Sequence, residues 1–361
     1  MRNVERIDPL AVEPLRLRDA LASALEGGPV LALTQLPLTQ IPESAALLIE
    51  TGGSTGEPKV VALSASALQR SSSLSNRALG ASGTDQWSLS LPLNHIAGIN
   101  QLLRSIDLGN DPVAFDAQFI SIVPTQLYRA IELAGKALDE LRGAKKVLIG
   151  GAAIPEQLIE QGKDVGIQLV TSYGMTEMSG GCIYDGKALP GVEVRIEESG
   201  RISLNGPMRA LCYLNNERAT NQSFVGDWFV TSDHGFIDNN GLLHIAGRAD
   251  DVIISGGEKI STQEVQQVVQ QRYPNMEVYV IGIPDPEWGE SLRLVMAHKD
   301  LASNQSRASE FSLQEIRKFV GESLAKVAAP RSLLLLSEIP LKANGKIDLA
   351  ALEAAQPTER I

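Results

Sequence analysis

The 361-residue sequence is 43% apolar and carries a net charge of -11. That apolar content is enough for a sizeable core. The negative charge is spread along the chain, which excludes a nucleic-acid surface because that needs a basic face. Any polyanion site must therefore be made locally positive by backbone N–H groups, Lys, Arg or a bound cation. The two cysteines, Cys182 and Cys212, stand in no CxxC pair and read as thiols in a reducing compartment. The opening MRNVERIDPL lacks the apolar core of a signal peptide, and no apolar run reaches membrane-span length, so a cytoplasmic protein is expected.

In chain order, Leu15 to Glu26 has helical spacing and stops at Gly27-Gly28. Val30 to Leu33 and Ala45 to Ile49 are continuous apolar runs, as in buried parallel strands, and Val60 to Leu63 is a further strand. Ser66 to Leu79 predicts a helix ending at Gly80. Ile120 to Val123 predicts a strand, followed by one amphipathic helix over Thr125 to Leu141. Lys146 to Ile149 and Ile167 to Val170 are strands, with a short helix from Pro155 between them. This is α/β grammar. Near Arg248 it changes. A hairpin over Asp251 to Ile260 is followed by a helix to about Arg272, strands Glu277 to Ile281 and Leu292 to His298, a helix Ser312 to Ala325 and a strand Leu333 to Leu336. Two domains are expected, 1–249 and a smaller α+β unit, 250–361.

Four segments carry chemistry. In Thr51-Gly52-Gly53-Ser54-Thr55-Gly56-Glu57-Pro58-Lys59, the glycines let N–H groups converge on an anion, and the hydroxyls and Lys59 add donors and charge. It is not a Walker loop, since no Gly-Lys-[Ser/Thr] closes it; the plain alternative is a flexible Gly/Ser loop. Ser172-Tyr173-Gly174-Met175-Thr176-Glu177 follows a strand, where ligands of open α/β sheets bind. There Tyr173 can stack on a base, Thr176 can donate to a phosphate and Glu177 can hold a divalent cation; the alternative is a capped helix start. Thr231-Ser232-Asp233 offers a carboxylate suited to the two hydroxyls of a ribose, and Arg248 in Gly247-Arg248 could reach ribose or phosphate. An isolated Asp or Arg is more commonly a turn or a surface ion pair. Lys346, in Lys342-Ala343-Asn344-Gly345-Lys346, could neutralise developing charge from a glycine-containing loop, or be a solvated lysine.

Together, and in this order, these segments resemble the adenylate-forming superfamily of acyl-CoA synthetases, peptide-synthetase adenylation domains and luciferases. Pro92-Leu93-Asn94-His95-Ile96-Ala97-Gly98 is similar to its PLxHxxG segment, Gly150-Gly151-Ala152 to its adenine-site GGA, and Ser255-Gly256-Gly257-Glu258-Lys259-Ile260 to its SGGxxI hairpin. The stretch Gly174 to Gly186 resembles the short o-succinylbenzoate–CoA ligases of actinobacterial menaquinone synthesis. Asn94 stands where the family carries an aromatic residue, and Ser232 where it carries Gly. The phosphate loop begins at Thr51, so the resemblance implies a large α/β domain reduced at its N-terminus, whose exposed apolar surface a homodimer could cover.

The resemblance implies a small mobile second domain and two half-reactions. A carboxylic acid attacks ATP to give acyl-AMP and diphosphate, then coenzyme A takes the acyl group. Ser54, Thr55 and Lys59 address the β/γ-phosphates, Thr176 the α-phosphate and Glu177 Mg2+. Gly151, Ala152 and Tyr173 frame the adenine; Asp233 and Arg248 take the ribose; Lys346 bridges carboxylate and α-phosphate. The second domain then turns about Asp250, and the Ser255 to Ile260 hairpin replaces Lys346. His95, Gly98, Thr125 and Ser179 are candidates for the acyl pocket. No nucleic acid and no membrane enter this picture.

Overall fold

The computed structural model of the chain describes residues 3–51, 58–248, 252–301, 311–341 and 347–361. The chain divides into two compact units, Met1–Ala246 and Gly247–Ile361, slightly ahead of the boundary expected after Ala249.

In the first unit, one sheet runs in the order Val4–Arg6, Val30–Leu33, Ala45–Thr51, Lys59–Ser64, Cys212–Leu214. The first three strands are parallel. The next pair is antiparallel, with Thr51 opposite Lys59, so both ends of the glycine-rich segment are fixed by one pairing. Alternation sends Leu31, Leu47, Ile49, Val61 and Leu63 into the main core and Val30, Ala32, Leu48, Val60 and Ala62 into a smaller cluster on the other face.

The second sheet runs Phe119–Ile122, Lys146–Gly150, Leu169–Met175, Gly180–Tyr184, Lys187–Ala188. Its first three strands are parallel, with Gly150 opposite Ser172. Side chains of helices Pro14–Leu25, Ala65–Leu79 and Ile96–Leu108 join the core on one face, and those of Pro124–Leu133, Lys136–Gly143 and Glu156–Asp164 pack on the other. A third sheet holds Glu193–Ile196, Arg201–Asn205, Trp228–Ile237 and Phe224–Val225, with Leu243–Arg248 beside Trp228–Ile237.

Two expectations are corrected here. The helix expected over Thr125 to Leu141 is two helices, because Ala134 and Gly135 both take positive φ (53° and 82°). The strand expected at Ile167 to Val170 is Leu169–Met175, so it carries Ser172, Tyr173 and Gly174 within the sheet rather than after it.

The second unit is a sheet with helices on both faces. Val252–Ser255 and Glu258–Ser261 form a hairpin, joined to Gly289–Ala297, which pairs with Glu277–Asp285 on one side and Ser332–Leu336 on the other. Helices Thr262–Arg272 and Leu313–Ser323 bury Val265, Val269, Ile316 and Val320 on one face, and helix Leu349–Ala354 buries Leu352 on the other.

Candidate active site

The carboxyl ends of three neighbouring parallel strands carry the motifs: Val123-Pro124-Thr125 after the first, Gly150-Gly151-Ala152 at the second, and Met175-Thr176-Glu177 at the third. This is where an open α/β sheet binds ligands. A side chain at Gly150 would stand 2.6 Å from the Ser172 carbonyl, and one at Gly174 would stand 2.0 Å from that of Gly180, so both glycines are required by close backbone approach.

Tyr173 donates its hydroxyl to Asp233 Oδ2 at 2.6 Å. Asp233 is 7% exposed, and its N–H donates to Thr231 Oγ1, which in turn donates to the Ile202 carbonyl. The second and third sheets are thus tied together at the expected adenosine site. Burial first, then the Asp233 carboxylate, push the Tyr173 phenol well above its ordinary range, so it stays a neutral donor.

Thr176 and Glu177 lie in a short 3-10 turn, Thr176–Met178, that packs against the strand bearing Lys59. Glu177 Oε1 accepts from the Tyr213 hydroxyl at 2.7 Å. The Lys59 ammonium sits 4.9 Å from the centre of the same tyrosine ring. The Glu177 carboxylate and the Lys59 ammonium are therefore organised around one tyrosine, which none of the motifs above contains. Its signal is the pairing of Cys212–Leu214 with Lys59–Ser64, which needs the fold.

His95 caps helix Ile96–Leu108 and, with Asn94, Glu50, Thr51 and Pro58, lines a cleft of about 260 Å³. The cleft joins His95 to the end of the strand that leads into the phosphate loop. Thr125 opens helix Pro124–Leu133 and is half-buried. The two other pocket candidates sit in tight packing. A side chain at Gly98 would stand 2.1 Å from the Pro92 carbonyl, so Gly98 serves helix-to-loop packing. Ser179 is fully buried, and its hydroxyl donates to the Met208 carbonyl at 2.7 Å.

Arg104, which the motifs passed over, is 4% exposed on helix Ile96–Leu108. Its guanidinium donates to Ser121 Oγ (3.2 Å) and Tyr184 hydroxyl (3.4 Å), lies 4.5 Å from the Trp87 ring centre, and leaves Nε unbonded. No carboxylate of the described residues pairs with it.

In the second unit, Gly256 and Gly257 form the hairpin turn at φ 58° and 85°, the pairing that a two-residue turn of this hand demands. The Gly256 N–H donates to the Trp288 carbonyl at 3.0 Å, and a side chain there would strike the Trp288 ring, whereas Gly257 faces open space. Ser255 is buried beside Gly289. Arg248 ends strand Leu243–Arg248 and is exposed. Gly52, Gly53, Ser54, Thr55, Gly56, Asp250 and Lys346 lie outside the described residues.

The fold and this cluster define a nucleotide-binding enzyme. Residues 7–209 match the AMP-binding enzyme family and residues 264–346 the AMP-binding enzyme C-terminal domain; the chain belongs to that family. It is 32% identical to a probable 2-succinylbenzoate–CoA ligase of Mycobacterium tuberculosis, over 96% of this chain and 91% of the relative. It is 31% identical to a 2-succinylbenzoate–CoA ligase of Listeria monocytogenes, over 84% of this chain and 68% of the relative. An o-succinylbenzoate CoA synthetase from Bacillus subtilis, solved with the acyl-adenylate intermediate OSB-AMP, matches at TM-score 0.73 and 26% identity, covering 95% of this chain and 82% of that one. No helix among the described residues is long and apolar enough to cross a membrane.

Proposed function

We propose that the chain is an AMP-forming acid–thiol ligase that converts 2-succinylbenzoate, ATP and CoA to 2-succinylbenzoyl-CoA, AMP and diphosphate, a step of menaquinone biosynthesis. Arg104 is the observation that carries the choice of acid. A buried guanidinium without a carboxylate is costly unless something completes it. 2-Succinylbenzoate brings a second carboxylate beyond the one that reacts, and a charge-assisted pair with Arg104 would anchor it. The two hydroxyls on Arg104 come from strands on either side of those bearing Gly150 and Tyr173, which supports this reading.

Each residue then has a task. Thr51, Gly52, Gly53, Ser54, Thr55, Gly56 and Lys59 hold the β/γ-phosphates. Gly150, Gly151, Ala152, Ser172, Tyr173 and Gly174 shape the adenine slot, and Asp233, held by Tyr173, takes the ribose with Arg248. Thr176 contacts the α-phosphate. The donor set fits Mg2+: one carboxylate, Glu177, with phosphate oxygens is what this small hard cation prefers, and no group of three or more His, Cys, Asp or Glu stands ready for another metal among the described residues. When bound, Mg2+ neutralises charge on the departing diphosphate.

A carboxylate is a weak nucleophile, so positioning and charge neutralisation supply the rate. Lys346 bridges the reacting carboxylate and the α-phosphate in the first half-reaction. For the second, the C-terminal unit turns about Asp250, and the Gly256-Gly257 turn, flanked by Ser255, presents bare backbone to the pantetheine chain of CoA. His95, at the cleft, shields the acyl group. A cytoplasmic setting accords with ATP and CoA as substrates and with two cysteines outside any disulfide.

The test is mass spectrometry of the protein with ATP, Mg2+, CoA and 2-succinylbenzoate. A 2-succinylbenzoyl-CoA peak with matching AMP is expected. A thioester with a monocarboxylic acid from a panel, and none with 2-succinylbenzoate, would overturn the substrate and the role of Arg104 together.

A further inference from the structure

Tyr213 meets two opposite charges with two different surfaces. Its hydroxyl donates to Glu177 Oε1 at 2.7 Å, and its ring lies 4.9 Å beneath the Lys59 ammonium. The side chain is held firmly: it is 5% exposed, Phe224 meets it edge-on at 5.4 Å, and its backbone is opposite Val61 in the strand that begins at Lys59. The Ala210 N–H donates to the Glu177 carbonyl at 2.8 Å, so the turn carrying the carboxylate is fastened to the chain leading into Tyr213.

A carboxylate and an ammonium in one small site attract each other. Direct pairing would cancel the negative charge a divalent cation needs and the positive charge the phosphates need. A phenol avoids this, since its O–H bonds the anion while its π face takes the cation. We infer that Tyr213 is a positioning residue that keeps Glu177 and Lys59 apart and aimed, one at the metal and the other at the phosphates. The inference rests on the reading of Glu177 and Lys59 given above.

The experiment is calorimetric titration of ATP into the full chain over a series of Mg2+ concentrations. The variants are Tyr213→Phe, Glu177→Gln, Lys59→Met and the double variant Tyr213→Phe/Glu177→Gln. Tyr213→Phe keeps the ring and removes the donor. It should raise the Mg2+ concentration for half-maximal ATP affinity by roughly tenfold, the scale of one hydrogen bond to a charged group. ATP affinity without Mg2+ should stay within about twofold, because the ring still carries Lys59. In the Glu177→Gln background the same change should add little, as coupled residues do. Phe224→Leu is the packing control: it loosens the ring but keeps the hydroxyl, and should lower the melting temperature while leaving the Mg2+ midpoint in place. An unshifted midpoint in Tyr213→Phe, full additivity with Glu177→Gln, or an equal shift in Phe224→Leu would each overturn the inference. If Glu177→Gln and Lys59→Met leave Mg2+ dependence and ATP affinity untouched, the site assignment itself falls and the inference with it.

Discussion

The two units each bury an arginine, and the two are satisfied in opposite ways. Arg293 of the second unit is 5% exposed, and its Nη1 donates to the carbonyls of Leu352, Glu353 and Ala355 at 2.7–3.0 Å. Those are the carbonyls that helix Leu349–Ala354 leaves over at its C-terminus, where a positive charge is also favoured by the helix dipole. Arg104 of the first unit rests on hydroxyls and an indole face and keeps a nitrogen unbonded. The first arginine is completed by its own chain. The second is left with an open nitrogen, which the proposed reading gives to the second carboxylate of the substrate. Burial alone does not distinguish a structural cation from a binding one; the inventory of acceptors around it does.

The largest effect expected is at Lys346 of the second unit. Helix Leu349–Ala354 follows the segment holding Lys346, and Lys346→Ala should slow acyl-AMP formation by about a thousandfold, the scale of losing a preorganised charge. Thioester formation from preformed acyl-AMP should survive; equal loss in both halves would remove Lys346 from the first step. Next, Arg293→Met should cost about 3 kcal/mol in urea denaturation, since it orphans buried carbonyls, while the KM for the acid in the folded fraction stays put. Arg104→Met should do the reverse: unfolding energy unchanged or raised, and kcat/KM for 2-succinylbenzoate down by about a hundredfold, with monocarboxylic acids unaffected. A stability loss in Arg104→Met matching that of Arg293→Met would erase the distinction.

The smallest test uses pH. It concerns two buried acids of the first unit. Burial pushes the Cys182 thiol up to about 12, and the Tyr173 phenol is also raised. Both groups hold protons in the fold that the unfolded chain releases first. Their contribution is full below about pH 9 and falls by roughly 1.4 kcal/mol per pH unit for each group as pH rises through its window. Unfolding energy against pH should show that decline, and Arg293→Met should not move its onset. A flat profile to pH 11 would contradict it.

The strands were legible in the sequence because both faces of the sheets are buried and the runs are continuously apolar, as at Val30–Leu33 and Ala45–Ile49. Helix Ile96–Leu108 was not, because it buries Asn100, Gln101, Arg104 and Ser105, which blurs its apolar period. That blur hid Arg104. Helix Ala65–Leu79 was readable from Ser66 on despite buried Ser71, Ser72, Ser75 and Asn76, since Gly80 ends it clearly. The Tyr173–Asp233 pair joins two motifs that the sequence offered separately, whereas Tyr213 reaches Glu177 only through strand pairing. The burial of Ser179 was likewise invisible in the sequence, since it follows from packing against two helices.

That same serine has a consequence of its own. Its carbonyl accepts from Ser71 Oγ at 3.0 Å and Asn100 Nδ2 at 2.9 Å, and its N–H donates to the Thr176 carbonyl. Active-site turns generally open at little cost, and their amide protons exchange quickly with solvent. This one is bolted from behind by both helices. The Ser179 amide should therefore be among the last in the first unit to take up deuterium, on the timescale of whole-unit unfolding, although it lies two residues from the carboxylate of Glu177.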